Sequence, residues 1–214
     1  MINNKKIKRM KVIIAISTNF YKYSLTLLMS SLILSSCSKE SNPIIYQGKN
    51  DEIYPLAIGN KWEYSRSAYD INYNIIAKDT FSTEIDMSYL KNGVEWFGIS
   101  FSWLQISKQS DGIWMQHTQA PVEPIPSLAY KYPTYNGDSY PYWKVISTEK
   151  IVKIGLGYFR TIHYRYLRNS ETNEYDDYFL CPGIGLIKYN RVRKDSSGKY
   201  YIEIEEELLK YTVN

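Results

Sequence analysis

Thr80-Phe81-Ser82-Thr83-Glu84-Ile85-Asp86-Met87-Ser88-Tyr89-Leu90 alternates without a break. Phe81, Thr83, Ile85, Met87 and Tyr89 share one phase, and Ser82, Glu84, Asp86 and Ser88 share the other. A period of two marks a strand with one buried and one wet face. Lys91-Asn92-Gly93 turns it, because Asn-Gly accepts the positive φ of a tight hairpin. The return strand carries Val94, Trp96, Phe97, Ile99, Phe101, Trp103, Leu104 and Ile106. Its apolar phase switches at Trp96-Phe97 and again at Trp103-Leu104, so a β-bulge or bend is expected there. Ser110-Asp111-Gly112 turns once more, into Ile113-Trp114-Met115.

Working outward, the same grammar repeats. Upstream, Ile58-Gly59-Asn60 turns into a strand beginning Trp62-Glu63-Tyr64, and Ile44-Ile45-Tyr46 gives a weak early strand. Residues 119–141 hold Pro121, Pro124, Pro126, Pro133 and Pro141 and read as a long ordered excursion or lid, with one short strand near Tyr130. Strands follow over residues 143–154, 158–167, 175–181 and 184–194. Asp195-Ser196-Ser197-Gly198 then turns into a last strand over residues 199–213. Beyond residue 36 there is no sustained 3.6-residue periodicity and no repeat. The expectation is an all-β, single-domain antiparallel meander of about nine strands, curled into an open or half-closed barrel.

The beginning of the chain is different. Lys5, Lys6, Lys8, Arg9, Lys11 and Lys22 precede an uncharged segment from Ser24 to Leu34, and Ser35-Ser36-Cys37 follows. A cationic start, a short apolar core and small residues at the cut make a secretory signal. Leu34-Ser35-Ser36-Cys37 resembles the lipobox of bacterial lipoproteins, which implies cleavage before Cys37 and a diacylglyceryl thioether on it. One myristoyl-length chain holds a protein only reversibly, and each buried methylene adds ~0.8 kcal/mol, so a stable anchor takes two or more chains. A plain membrane helix over residues 12–34 would bury Lys22, at a cost of ~3 kcal/mol near the bilayer centre. Translation from Met10 would give the signal a more typical length. The expected organisation is therefore a signal peptide at 1–36, the lipidated cysteine and a tether at 37–53, and a β-rich domain at 54–214.

That cut changes the composition. Residues 1–36 carry six of the 26 Lys/Arg and none of the 22 Asp/Glu, leaving 20 against 22 and a charge of −2. A slightly acidic domain gives no reason to expect nucleic acid. With Cys37 acylated, Cys181 has no disulfide partner, and the remaining 178 residues can bury a core without one. Thirty of the chain's 33 aromatic residues lie beyond residue 36, most of them tyrosines suited to half-buried pleated surfaces.

Three further groups of residues carry a family resemblance. Tyr54-Pro55-Leu56-x-x-Gly59-Asn60-x-Trp62-x-Tyr64 comes first, Tyr132-Pro133 and Gly137-Asp138-Ser139 come next, and Tyr178-Phe179-x-x-Pro182-Gly183-Ile184-Gly185-Leu186-Ile187-Lys188 closes the set. In that order, over residues 54–213, the chain resembles the TapB-like family of uncharacterised lipoproteins of Bacteroidota-type bacteria. Cys181 stands where the family usually has a small residue. The resemblance implies a curved antiparallel sheet and no established activity. Independently of it, Pro182-Gly183-x-Gly185 can fix a tight turn and let backbone pass close to an aromatic ring, with Trp62 and Trp143 plugging the ends of the core.

Catalytic material is scarce. There is no phosphate-binding glycine loop, no Gly-x-Ser-x-Gly and no His-Glu-x-x-His, and the only histidines are His117 and His163. In the hairpin that turns near Ser170–Asn173, one register places His163 opposite Cys181 as a dyad, and the next places it opposite Leu180. Phase puts His163 with Thr161 and Arg165 on the solvent face, and Cys181 reads as a packed thiol. Glu203, Glu205 and Glu207 read as a solvated outer face, with a calcium site or an edge guard as alternatives. Glu171, Glu174, Asp176 and Asp177 read as a polar turn. Trp96, Phe97, Phe101, Trp103 and Trp114 are core, or else they line a cavity for lipid or stack on sugar rings.

The sequence-level expectation is thus a non-enzymatic lipoprotein of the cell envelope, most simply at the outer membrane, without catalytic, cofactor or metal residues. Its partners would be the membrane, through acyl chains on Cys37, and a hydrophobic or carbohydrate ligand. A carrier of a lipid or another hydrophobic ligand in the curled sheet is the alternative, and a hydrolase is the third reading.

Overall fold

The computed structural model describes residues 44–48, 52–100, 102–118 and 125–214. The signal peptide, Cys37 and most of the tether lie outside the described residues, as do Phe101, Pro121 and Pro124. Thirteen strands and no helix occur among those described: β1 (Ile45–Tyr46), β2 (Lys61–Tyr69), β3 (Ile75–Lys91), β4 (Val94–Ile99), β5 (Leu104–Gln109), β6 (Gly112–His117), β7 (Ser127–Lys131), β8 (Ser139–Tyr140), β9 (Trp143–Ile154), β10 (Gly157–Asn169), β11 (Glu174–Cys181), β12 (Gly185–Lys194) and β13 (Tyr200–Thr212). The alternating stretch that begins at Thr80 sits within β3, a strand of 17 residues. Asn92 and Gly93 make its turn at positive φ. The four extra strands have simple origins. The expected return strand is split into β4 and β5, the weak early strand and the short strand near Tyr130 are present as β1 and β7, and β8 is a short addition. The bend at Trp103-Leu104 is where the phase switch put it. At Trp96-Phe97 the pairing with β3 is regular, and the register shift lies instead between Ile85 and Met87.

All strands join one antiparallel sheet in the order β7-β6-β5-β4-β3-β2-β13-β12-β11-β10-β9-β8, with β1 added in parallel to β10. The sheet does not close by a ladder, and its free edges are β7 and β8. The described part of the proline-rich segment supplies both edges, where proline's missing donor costs least. Tyrosine hydroxyls bridge these edges. Tyr140 donates to the Ala129 carbonyl at 2.8 Å and accepts from Lys131 N at 3.2 Å, and Tyr164 donates to the Lys131 carbonyl at 2.7 Å. The sheet thus curls into a half-closed barrel with a side-chain seam.

Curling buries two apolar clusters. One gathers Trp62, Tyr64, Ile85, Phe159, Ile187 and Leu208. The other gathers Ile106, Ile113 and Tyr130 from β5–β7 with Val145, Ile162, Tyr164 and Leu180 from β9–β11. Trp62 sits inside the first, and half-buried Trp143 packs against the second. The domain also begins earlier than residue 54. Ile45 and Tyr46 pair with Tyr158 and Phe159, and Ile53 is wholly buried. Ile53 thus finds a core position that local sequence does not reveal.

Candidate functional site

Beside the seam lies a cleft of about 370 Å³. Its walls are Ile53, Tyr54, Ile113, Tyr132 and Pro133, and at its mouth Lys108 Nζ meets Glu52 Oε1 at 2.6 Å. Local chemistry explains each wall. Gly112, at φ 140°, lets β6 leave the turn and pass β7, where any Cβ would come within 2.1 Å of the Tyr130 carbonyl. Tyr132 N donates to the Asp111 carbonyl at 2.9 Å. Asp138 accepts from Lys131 Nζ, Thr134 Oγ1 and Tyr135 N at 3.0–3.2 Å, which pins the loop that carries Pro133. The hydrogen bond from Lys131 and those from the loop hold the Asp138 carboxyl below its ordinary range.

Tyr54 connects this cleft to the glycine turn. Its ring lies 4.9 Å from that of Trp62 and 3.1 Å from where a Cβ on Gly185 would stand. Gly183 N donates to the Glu52 carbonyl at 2.6 Å, and Trp62 Nε1 donates to the Ile184 carbonyl at 2.6 Å. Gly183 and Gly185 both take positive φ, 78° and 98°. The first and last motif groups therefore pack on one another, and the turn has the structural role read from its glycines. Burial raises the Tyr54 hydroxyl well above its ordinary range.

Across Tyr132 a second cleft of about 230 Å³ is lined by Gln47, Thr148, Glu149, Arg160 and Pro182 among others. A third, of about 490 Å³, is an open groove over Met87, Gly98, Ile99 and exposed Trp103. The aromatic residues accordingly divide. Trp96 is core, Trp103 is exposed, and Trp114 Nε1 donates to Asp111 Oδ1 at 2.8 Å. The densest aromatic group is elsewhere: Tyr130 contacts Trp143, Tyr164 and Tyr178 at centroid distances of 5.3–5.8 Å.

Neither of the two expected hairpin registers occurs. His163 pairs with Phe179, two positions from Cys181, because a bulge between Leu167 and Asn169 slips the ladder. Nor is His163 on the solvent face. It is 8% exposed, its ring stacked on Phe179 at 4.4 Å and its Nε2 2.9 Å from Asp177 Oδ1 at an angle that makes no hydrogen bond. Thr161 on the same strand and Phe179 opposite it are buried too, so this part of β10 is not a solvent face. Cys181 is unpaired and fully buried, and burial raises its thiol pKa, which disfavours the thiolate a nucleophile needs. His117, on β6, is exposed.

The acidic groups are also partnered in ways the sequence concealed. Lys188 Nζ lies 2.5 Å from Glu205 and 2.8 Å from Glu207, and Arg193 Nε lies 2.9 Å from Glu203. Glu206, on the other face, meets Arg66 at 2.8 Å. Only Glu171 belongs to the turn. Glu174, Asp176 and Asp177 are in β11, and Asp177 takes a bidentate contact from Arg165 at 2.7 and 3.0 Å. Asp176 is 4% exposed, its Oδ1 3.6 Å from Arg168 Nε and 3.8 Å from Arg191 Nε, without a hydrogen bond to either. No signal within the acidic stretches could have shown this, since the cations sit on neighbouring strands.

No family model matches the chain, so the TapB-like resemblance has no match of that kind behind it, and no curated protein matches either. Two solved structures are similar to it at 11% identity. One is a provisionally named lipoprotein from Parabacteroides distasonis, with a TM-score of 0.42, covering 75% of this chain and 98% of that one. The other is a provisionally named exported protein from Bacteroides fragilis with a YmcC-like fold, with a TM-score of 0.40 and coverage of 74% and 98%.

Proposed function

We propose that this chain is a lipoprotein of the bacterial cell envelope, held at the outer membrane by acyl chains on Cys37 and acting as a non-enzymatic binding or structural module. The observation that carries the choice over a lipid carrier is the filled interior. Tyr164, Val145, Leu180 and Ile187 are each 0% exposed and occupy the space a carried acyl chain would need. The hollow left beside the seam, about 370 Å³, is at the low end of the ~300–1,000 Å³ typical of small-molecule sites. Its apolar walls and the Glu52–Lys108 pair suit a small amphipathic or sugar-like ligand better than a diacyl lipid. The non-enzymatic reading is supported by a thiol with a raised pKa and by the separation of His163 from it.

Native mass spectrometry of the protein beginning at Ser38, purified from cells, tests the choice. A bare mass across preparations is expected, and a co-purifying phospholipid would replace this reading by the carrier. The anchor has its own test, since Cys37→Ala abolishes palmitate incorporation if Cys37 is the acylated residue.

A further inference from the structure

We infer that the end of the domain built from β1 and the β9–β10 turn rests on the lipid surface, as a membrane seat alongside the acyl anchor. The inference rests on the reading of Cys37 as the lipid attachment. Ile44 is 80% exposed, Tyr46 45%, Leu156 38% and Ile45 36%. The parallel pairing of Ile45 with Tyr158 and Tyr46 with Phe159 brings them together, because Leu156 is in the turn that opens β10. Tyr46 stacks on Phe159 at 5.0 Å and lies 3.3 Å from where a Cβ on Gly157 would be, so the patch is fixed by packing. Lys153, paired with Tyr158, holds its ammonium 5.4 Å from that ring. Branched aliphatics beside tyrosines and a lysine have the chemistry of the bilayer interface, where aromatic rings sit at headgroup level and lysine reaches the phosphates.

Chain length decides which apolar end faces the membrane. Six residues lie between Cys37 and Ile44, and the seven extended steps from one to the other span at most ~25 Å. A second exposed apolar group, Ile71, Ile75 and Ile76, occupies the β2–β3 tip. Registers connect that tip, through Ala68, Ile204, Arg191 and Asp176, to the level of Tyr166 on β10. Tyr166 is eight residues beyond Tyr158, or ~26 Å along a strand. The anchor thus enters at the β1 end, and the hairpin tip is held away from the bilayer.

The test uses the lipidated full chain, reconstituted in vesicles of phosphatidylethanolamine and phosphatidylglycerol. An environment-sensitive nitrobenzoxadiazole probe is attached at Leu156→Cys or, in a second protein, at Ile75→Cys. Both positions are exposed, Cys37 is acylated and Cys181 is buried, so the new thiol takes the label. The expected result is blue-shifted emission at position 156, quenched at least twofold by spin-labelled lipid, with position 75 remaining aqueous and unquenched. Aqueous emission from both positions on vesicle-bound protein would overturn the seat while leaving the anchor intact. Protein that fails to float with the vesicles would overturn the anchor and the seat together. A shielded probe at 156 that spin-labelled lipid does not quench would mean that protein covers the patch, and would also overturn the seat.

Discussion

Asp176 and Asp177 are adjacent in β11 and face opposite sides of the sheet, where their carboxyls respond to burial in opposite directions. Burial alone would raise Asp177, but its contacts with His163 and Arg165 outweigh that and hold it below the ordinary range. For Asp176 burial prevails over the charges of Arg168 and Arg191, and its pKa rises. An unfolded aspartate titrates near ~3.9. Asp177 therefore stabilises the fold fully above that value, and this is lost as pH falls from there through its lower folded value. Asp176 does the reverse: its folded pKa is higher, so stability is gained as pH falls through that value toward the unfolded one. Asp177→Asn should cost about 2 kcal/mol at pH 7, the range of a hydrogen bond to a charged group, and clearly less at pH 3. Asp176→Asn should cost less at pH 7 than at pH 3. Urea unfolding followed by tryptophan fluorescence at the two pH values would show the opposed trends, and parallel trends would refute the assignment. Gly185 gives a backbone counterpart. With φ at 98° and the Tyr54 ring 3.1 Å from the Cβ position, Gly185→Ala should lose about 1–3 kcal/mol in the same measurement.

The seam is the element on which barrel-like closure depends. Tyr140→Phe removes the hydroxyl that engages both Ala129 and Lys131, leaving β7 held by its ladder to β6 and by the single Tyr164 hydroxyl on the other side. Amide exchange in β7 should quicken by about tenfold, corresponding to ~1.4 kcal/mol of lost local stability, while β10 and β11 remain protected. Equal acceleration across the sheet would contradict a local role. These hydroxyl bridges were invisible in the sequence, where Tyr140 and Tyr164 were two tyrosines among 22. The strands were readable, because alternation is local: β9 begins and ends at the expected residues, and β3 contains the whole alternating stretch. Register was not. The bulge at Leu167/Asn169 slips the β10–β11 pairing beyond both expected alternatives, and such a slip leaves no mark in composition. The polar stretch 171–177 was misread for a related reason. Carboxylates in a row look like a turn until Arg165, Arg168, Arg191 and Arg193 arrive from other strands.

At the level of the whole molecule, curling the sheet turns thirteen locally formed strands into a closed-packed interior with its one described cysteine inside. Cys181 should therefore resist a maleimide reagent in the folded lipoprotein at pH 8 and take up one equivalent in denaturant. Rapid labelling of the folded protein would contradict its burial. The sequence by itself determined the all-β class, the meander of short turns and the cationic-apolar-Cys37 pattern from which the proposed anchor is read, since period, turn chemistry and charge are properties of neighbouring residues. Only the tertiary structure decided that the two sheet edges meet through tyrosine hydroxyls, that Tyr54 and Trp62 pack on a turn more than 120 residues away, and that Ile53 belongs to the core. Those outcomes depend on how far a sheet twists and curls before side chains fill its inside, which follows from the summed packing of residues distant in sequence.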